Sequence, residues 1–95
     1  MALTGRTVPE AEALLAPEGA RGDQRLDTVG LYCPIPIIRT AERVRAMTSG
    51  QVLEVLSDDR VILIDMPAWC RSTGHGYIGY LPGEEGEWRL FVRVR

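Results

Sequence analysis

Gln24-Arg25-Leu26-Asp27-Thr28-Val29-Gly30-Leu31-Tyr32-Cys33-Pro34-Ile35-Pro36 runs from a strand, through a glycine-containing loop, into a helix opened by proline. Gln24 to Thr28 can form a short strand. Gly30 supplies the loop with a residue that takes a left-handed backbone turn at no steric cost. Pro34 suits a first helical position, where its missing N–H is not needed. Beyond it, Ile37, Ala41, Val44 and Met47 recur at helical spacing up to the breaker pair Ser49-Gly50, and Arg39, Glu42 and Arg43 fall on the outer face.

Working toward the C-terminus, Gln51-Val52-Leu53-Glu54-Val55-Leu56-Ser57 is rich in branched aliphatics and bounded by Gly50 and Asp58-Asp59, the pattern of a buried strand. This closes a β-α-β unit. Asp58 or Asp59 can cap a second helical segment from about Arg60 to Thr73, with a break near Asp65 because Pro67 would clash with the carbonyl of Leu63. Asp65 can cap the restart, Met66, Trp69 and Cys70 turn inward, and Gly74 ends the segment. Tyr77–Leu81 and Trp88–Val94 are strand-like and are joined by the turn-rich Pro82-Gly83-Glu84-Glu85-Gly86, which predicts a hairpin. The order β-α-β-α-β-β predicts an α/β protein of the α+β two-layer kind, with a mixed four-stranded sheet and two helices on one face. Toward the N-terminus, residues 1–22 are rich in Ala, Gly, Glu and Pro and read as a flexible leader with a short helix at 9–15, which leaves 23–95 as the folded domain.

A chain of 95 residues, 45% of them apolar, fits one domain and a shallow site better than an enclosed chamber. All 11 basic residues are Arg, against 13 acidic ones, for a net charge of −2. That balance excludes a generally basic nucleic-acid-binding surface, and the lack of Lys excludes Schiff-base chemistry and a phosphate-loop lysine. The first residues begin no signal-like apolar run, and the aliphatic stretch Val61–Ile64 is far too short to span a bilayer, so a cytoplasmic location is expected. In that compartment Cys33 and Cys70 read as free thiols.

Cys33 stands where the first helical turn leaves N–H groups unpaired, so the helix dipole, with help from Arg39 if it folds back, predicts a thiolate at neutral pH. The flanking prolines stiffen the loop and present the sulfur outward. Asp27 and Gly30 read as supports of the turn. Cys70 reads as a packed thiol and His75 as a helix-end or surface residue, and one His with two distant Cys leaves a metal ion short of ligands.

The pattern Leu26-Asp27-x-x-Gly30-x-x-Cys33-Pro34-x-Pro36 resembles the signature of the TusA (SirA-like) family of sulfur-carrier proteins. Asp58-Asp59, Asp65-Met66-Pro67-x-Trp69-Cys70 and Gly74-His75 are similar to that family's second-helix pattern, so the likeness spans roughly residues 24 to 95. It implies a sulfurtransferase in which Cys33 accepts sulfane sulfur as a persulfide from a cysteine desulfurase or rhodanese-type donor. The sulfur then passes to a downstream relay protein, for tRNA thiolation, sulfur oxidation or cofactor sulfuration. It implies no metal or organic cofactor, no direct nucleic-acid contact and no membrane. Asp27, Gly30, Pro34 and Pro36 become motif supports, with Ile35, Arg39 and Arg43 as candidates for partner docking. Two positions depart from the family's habit: Arg60 stands where Pro often follows the second-helix aspartates, and Ile35 replaces a residue that is often polar. A non-catalytic interaction module and a thiol-disulfide redox protein using Cys33 and Cys70 are the competing readings.

Overall fold

The computed structural model describes residues 15–95. Six elements follow in order: β1 (Gln24–Asp27), α1 (Ile35–Arg45), β2 (Val52–Ser57), α2 (Ile62–Thr73), β3 (Gly76–Pro82) and β4 (Trp88–Arg93). The sheet order is β1-β2-β4-β3, with β1 parallel to β2 and the other neighbours antiparallel. This is the mixed, two-layer α+β architecture that the element order predicts.

Strand period decides which side chains meet. Leu53 and Val55 on β2 pair with Val92 and Leu90 on β4, and all four are fully buried on the side that carries the helices. Ile62, Leu63, Met66 and Cys70 of α2 and Val44 of α1 close this core. The α1 stripe agrees with the predicted one at Val44 and lies one residue earlier in the first two turns. Pro36, Thr40 and Val44 are its buried positions, while Ile37 and Met47 pack at the margin. Thr40 is tolerated inside because its hydroxyl donates to the Pro36 carbonyl at 2.8 Å.

The opposite face is half polar. Glu54, 5% exposed, pairs across the strands with Arg25 and Phe91. Its carboxylate takes an ion pair from Arg89 at 2.7 Å and a longer one from Arg25 at 3.4 Å. Residues 15–22 run across this face. Leu15 bridges to Tyr80 on β3, Ala20 accepts a bond from Arg89 on β4, and Gly22 sits so close to Glu54 that a Cβ there would lie 2.8 Å from it. The tail of the segment read as a leader is therefore applied to the sheet, and the helix expected at 9–15 falls, but for Leu15, outside the described residues.

One local expectation fails. α2 is unbroken from Ile62 to Thr73 with Pro67 inside it. Its first turn is tightened by bonds from Ile62 to Asp59, Leu63 to Arg60 and Ile64 to Val61. The switch to ordinary helical bonding comes just before Pro67, so the proline forfeits one bond near the N-terminus instead of splitting a long ladder. Pro67 is itself buried. Gly74 ends the helix at φ 90°, as its position in the sequence predicts. Among the described residues no helix is long and apolar enough to cross a membrane.

Arg89→Ala leaves a buried carboxylate with only its longer partner and should cost about 2–3 kcal/mol in urea unfolding. Arg25→Ala, which removes a largely exposed partner, should cost less than about 1 kcal/mol.

Candidate functional site

Parallel pairing of β1 and β2 brings the loops that leave both strands to the same edge of the sheet. The first, 28–34, carries Cys33, and the second, 58–61, carries the aspartate pair. Asp27 starts the first loop by accepting the Val29 N–H at 2.9 Å, and Thr28, 1% exposed, fixes its base to the Leu56 carbonyl. Gly30 then turns at φ 91°, the backbone region for which glycine was expected there. Its N–H donates to Asp58 at 3.0 Å. Asp59 spans both loops, accepting the Cys33 N–H at 2.7 Å through one oxygen and the Val61 N–H at 3.1 Å through the other. Ser57, fully buried, holds the Asp59 backbone N–H at 3.1 Å. Pro34 and Pro36 complete the loop and open α1, and the Cys33–Pro34 peptide is cis.

The sulfur itself is exposed and free. It donates a hydrogen bond to Oδ2 of Asp65, one turn into α2. That bond, with some desolvation and the charges of Asp65 and Asp59, pushes the Cys33 thiol up from 9.0 to about 11. The thiolate expected from the helix dipole is thus absent at neutral pH. The helix start has little to offer the sulfur. Pro34 and Pro36 have no N–H, and those of Ile35 and Ile38 are taken by the Tyr32 and Pro34 carbonyls. Two carboxylates stand where the sequence reading placed positive potential. Asp65, expected to cap a helix restart, is instead the sulfur's partner.

Exposed apolar side chains occur on the elements that carry Cys33 and Asp65. Tyr32, Ile35 and Ile38 lie on the loop and α1, Val61 on the loop before α2 and Ile64 on its first turn. An open cleft of about 640 Å³ lies on the opposite side of the sheet, between Asp27, Val29, Asp58, Arg89 and the hairpin acids Glu84, Glu85 and Glu87.

A family model described as Sulfurtransferase TusA matches residues 24–94. The chain belongs to the TusA family of sulfur carriers. It is 45% identical over 53 residues to the sulfur carrier protein TusA of Allochromatium vinosum, an overlap of 56% of this chain and 70% of that protein. With YrkF of Bacillus subtilis it shares 44% identity over 54 residues, which cover 57% of this chain but only 29% of YrkF. A crystal structure of a SirA-like protein from Desulfitobacterium hafniense superposes with a TM-score of 0.66 at 24% identity, over 74% of this chain and 95% of that one. That likeness is one of fold.

Among the other residues singled out in the sequence, Arg39 is exposed on α1, and among the described residues neither it nor any other cation acts on the sulfur. Arg43 is turned from the outer face toward β1, half-buried, donating to Gln24 at 3.3 Å and to the Arg25 carbonyl at 3.4 Å. Cys70 is 1% exposed, and burial pushes its thiol up to about 12. His75 accepts the Arg95 N–H and stacks on Trp69, with ring centroids 5.1 Å apart.

The bond from the Val61 N–H to Asp59 fits the expected capping of the second helical segment, but sequence reasoning missed Asp59's hold on the Cys33 N–H and the role of Asp65. The signal was available: a β-α-β unit already places residues 28–34 beside 58–61, so the paired aspartates face the amides of Gly30 and Cys33.

With the thiol midpoint at about 11, alkylation of Cys33 by iodoacetamide at pH 8 should run roughly a hundredfold below that of a thiol ionising at 9 and should climb through pH 10–11. Cys70 should react only after denaturation. Peptide mapping of the modified protein checks both.

Proposed function

We propose that this protein is a sulfur carrier whose working group is Cys33. It accepts a sulfane sulfur as a persulfide from a cysteine desulfurase or rhodanese-type donor and passes it to a downstream relay protein, which makes it a sulfurtransferase acting through a protein-bound persulfide. The observation that carries this reading is the placement of the family's motif cysteine. Its sulfur stands in the open on a braced loop, Asp27 and Gly30 shape that loop, and Pro34 and Pro36 stiffen it. A sulfur so placed meets another protein's cysteine more readily than it encloses a small substrate. The acceptor serves tRNA thiolation, sulfur oxidation or cofactor sulfuration. The proposed activity needs no metal or organic cofactor and is cytoplasmic.

Partners dock on the apolar rim. Ile35 and Ile38 on one helix and Val61 and Ile64 on the other flank the sulfur, and this composition suits a surface that is dry at its centre. Arg39 lies farther along α1 beside Glu42 and Arg43, at a shallow groove on the rim of that surface. A charge there sets the association rate more than the affinity. Arg43, held by β1, contributes mainly through the position it gives the helix.

Intact-mass measurement after incubation with a cysteine desulfurase and cysteine, without reductant, should show a reductant-labile gain of one sulfur atom in the wild type and none in Cys33→Ser. No gain with several donors would favour a non-catalytic interaction module. Ile35→Glu should slow loading at least about tenfold while leaving iodoacetamide reactivity within about twofold, because it alters docking and not the thiol. Equal loading rates would remove Ile35 from the docking surface.

A further inference from the structure

The sulfur of Cys33 has a proton and a place to put it. Its thiol donates to Oδ2 of Asp65, and its own backbone N–H is held at 2.7 Å by Asp59, so sulfur and carboxylate are fixed relative to one another from two sides. Asp65 is half-buried on α2, between the buried Met66 and the exposed Ile64, and the folded helix keeps its carboxylate at the sulfur. The charged groups acting on the sulfur are Asp65 on α2 and Asp59 on the loop before it, while Asp58 is turned to the Gly30 N–H. Among the described residues no cation offsets them. A cysteine that relays sulfur needs to be nucleophilic only while a donor is seated on it, and here the resting protein holds the opposite state.

We infer that Asp65 governs the proton of Cys33 in sulfur transfer, holding the sulfur as a thiol between transfers and taking up its proton as the new sulfur–sulfur bond forms. This rests on the carrier reading and adds a second catalytic residue to it. In loading, Sγ of Cys33 attacks the outer sulfur of the donor persulfide. The Sγ–S bond forms, the donor's S–S bond breaks with its electron pair leaving on the donor's cysteine sulfur, and the Cys33 proton moves to Asp65 and from there to that departing thiolate. In delivery, an acceptor thiol gives its proton to Asp65 as its sulfur attacks the same outer sulfur, the acceptor's S–S bond forms, the Sγ–S bond breaks toward Sγ, and Asp65 passes that proton to Sγ. No oxidant or reductant is consumed, and a carboxylate suffices because Sγ loses its basicity as it bonds to sulfur. The arrangement is also selective. Small electrophiles in solution meet a thiol, whereas a docked persulfide meets a sulfur whose proton has somewhere to go.

The test compares wild type, Asp65→Asn and Asp59→Asn in two experiments. For iodoacetamide alkylation of Cys33 followed by mass spectrometry across pH 6–12, the midpoint of Asp65→Asn should fall from about 11 toward 9.0, with a tenfold or greater rise in rate at pH 8. Asp59→Asn should move it less. For loading from a persulfidated cysteine desulfurase, the wild-type rate should be nearly flat from pH 6 to 9. That of Asp65→Asn should rise close to tenfold per pH unit, because its proton must first go to solvent. An alkylation midpoint unmoved by Asp65→Asn, or parallel loading profiles for the two proteins, would overturn the assignment. Alkylation needs no sulfur donor. Absence of loading in the wild type therefore defeats the carrier reading separately, with the alkylation profile still deciding whether Asp65 holds the proton.

Discussion

The parallel pairing of β1 with β2 is the constraint on which the rest of the site depends. Antiparallel neighbours would send the loops after Asp27 and Ser57 to opposite ends of the sheet, while parallel ones deliver them side by side. Only then can Asp58 and Asp59 reach the amides of Gly30 and Cys33. Those bonds give the Gly30 and Cys33 N–H groups carboxylate acceptors. The crossover helix α1 makes the parallel pairing possible, and the buried Leu53 and Val55, packed beneath the helices, hold its partner strand in the core. Carboxyl-end loops of parallel strands are a recurrent place for chemistry in sheet proteins, for this geometric reason.

Charge at the site follows from the same latch. The side chains that brace the loop are acidic, so the groups that order it also set the electrostatics of the cysteine it carries. A helix N-terminus would favour a thiolate in a chain with free amides at that point. Here the Ile35 and Ile38 amides are spent, Pro34 and Pro36 have none, and the charges acting on the sulfur are negative, so the thiol is the resting form. Exposure and reactivity are separated: the sulfur is accessible, yet chemically quiet. In the proposed relay that separation protects a cysteine that must remain on the surface to meet its partners.

The rear of the sheet shows how a small domain manages a second face with few elements. Glu54, paired with Arg89 and Arg25, and Phe91, under the Arg89 guanidinium at 5.4 Å, leave that side neither a core nor an ordinary wet surface. Residues 15–22 run across it from β3 to β1. Their composition offers little to bury, which is why they read as separate from the domain. Ala16, 5% exposed, with its N–H on the Tyr80 carbonyl at 2.9 Å, shows that backbone bonding can attach a segment that lacks apolar side chains.

Most of the secondary structure was legible because it rests on local rules. Two-residue and helical periodicities, Gly30 at a positive φ, Gly74 at a helix end and the turn-rich Pro82–Gly86 act within a few residues of themselves. The order of those elements then limits the sheet to a mixed one with its helices on one side, and the cysteine between two strand-end signals marks the site. Pro67 marks the limit of local reasoning, since whether a proline breaks a helix depends on how many bonds it interrupts and on what buries its ring. Arg43 marks another, because a charged residue on a predicted outer face was drawn in by acceptors on β1. The sequence by itself determined the elements, their order and the place of the motif cysteine among them. Tertiary structure alone decided that cysteine's protonation state, because a pKa depends on charges within a few ångströms in space, and Asp65 is 32 residues away along the chain.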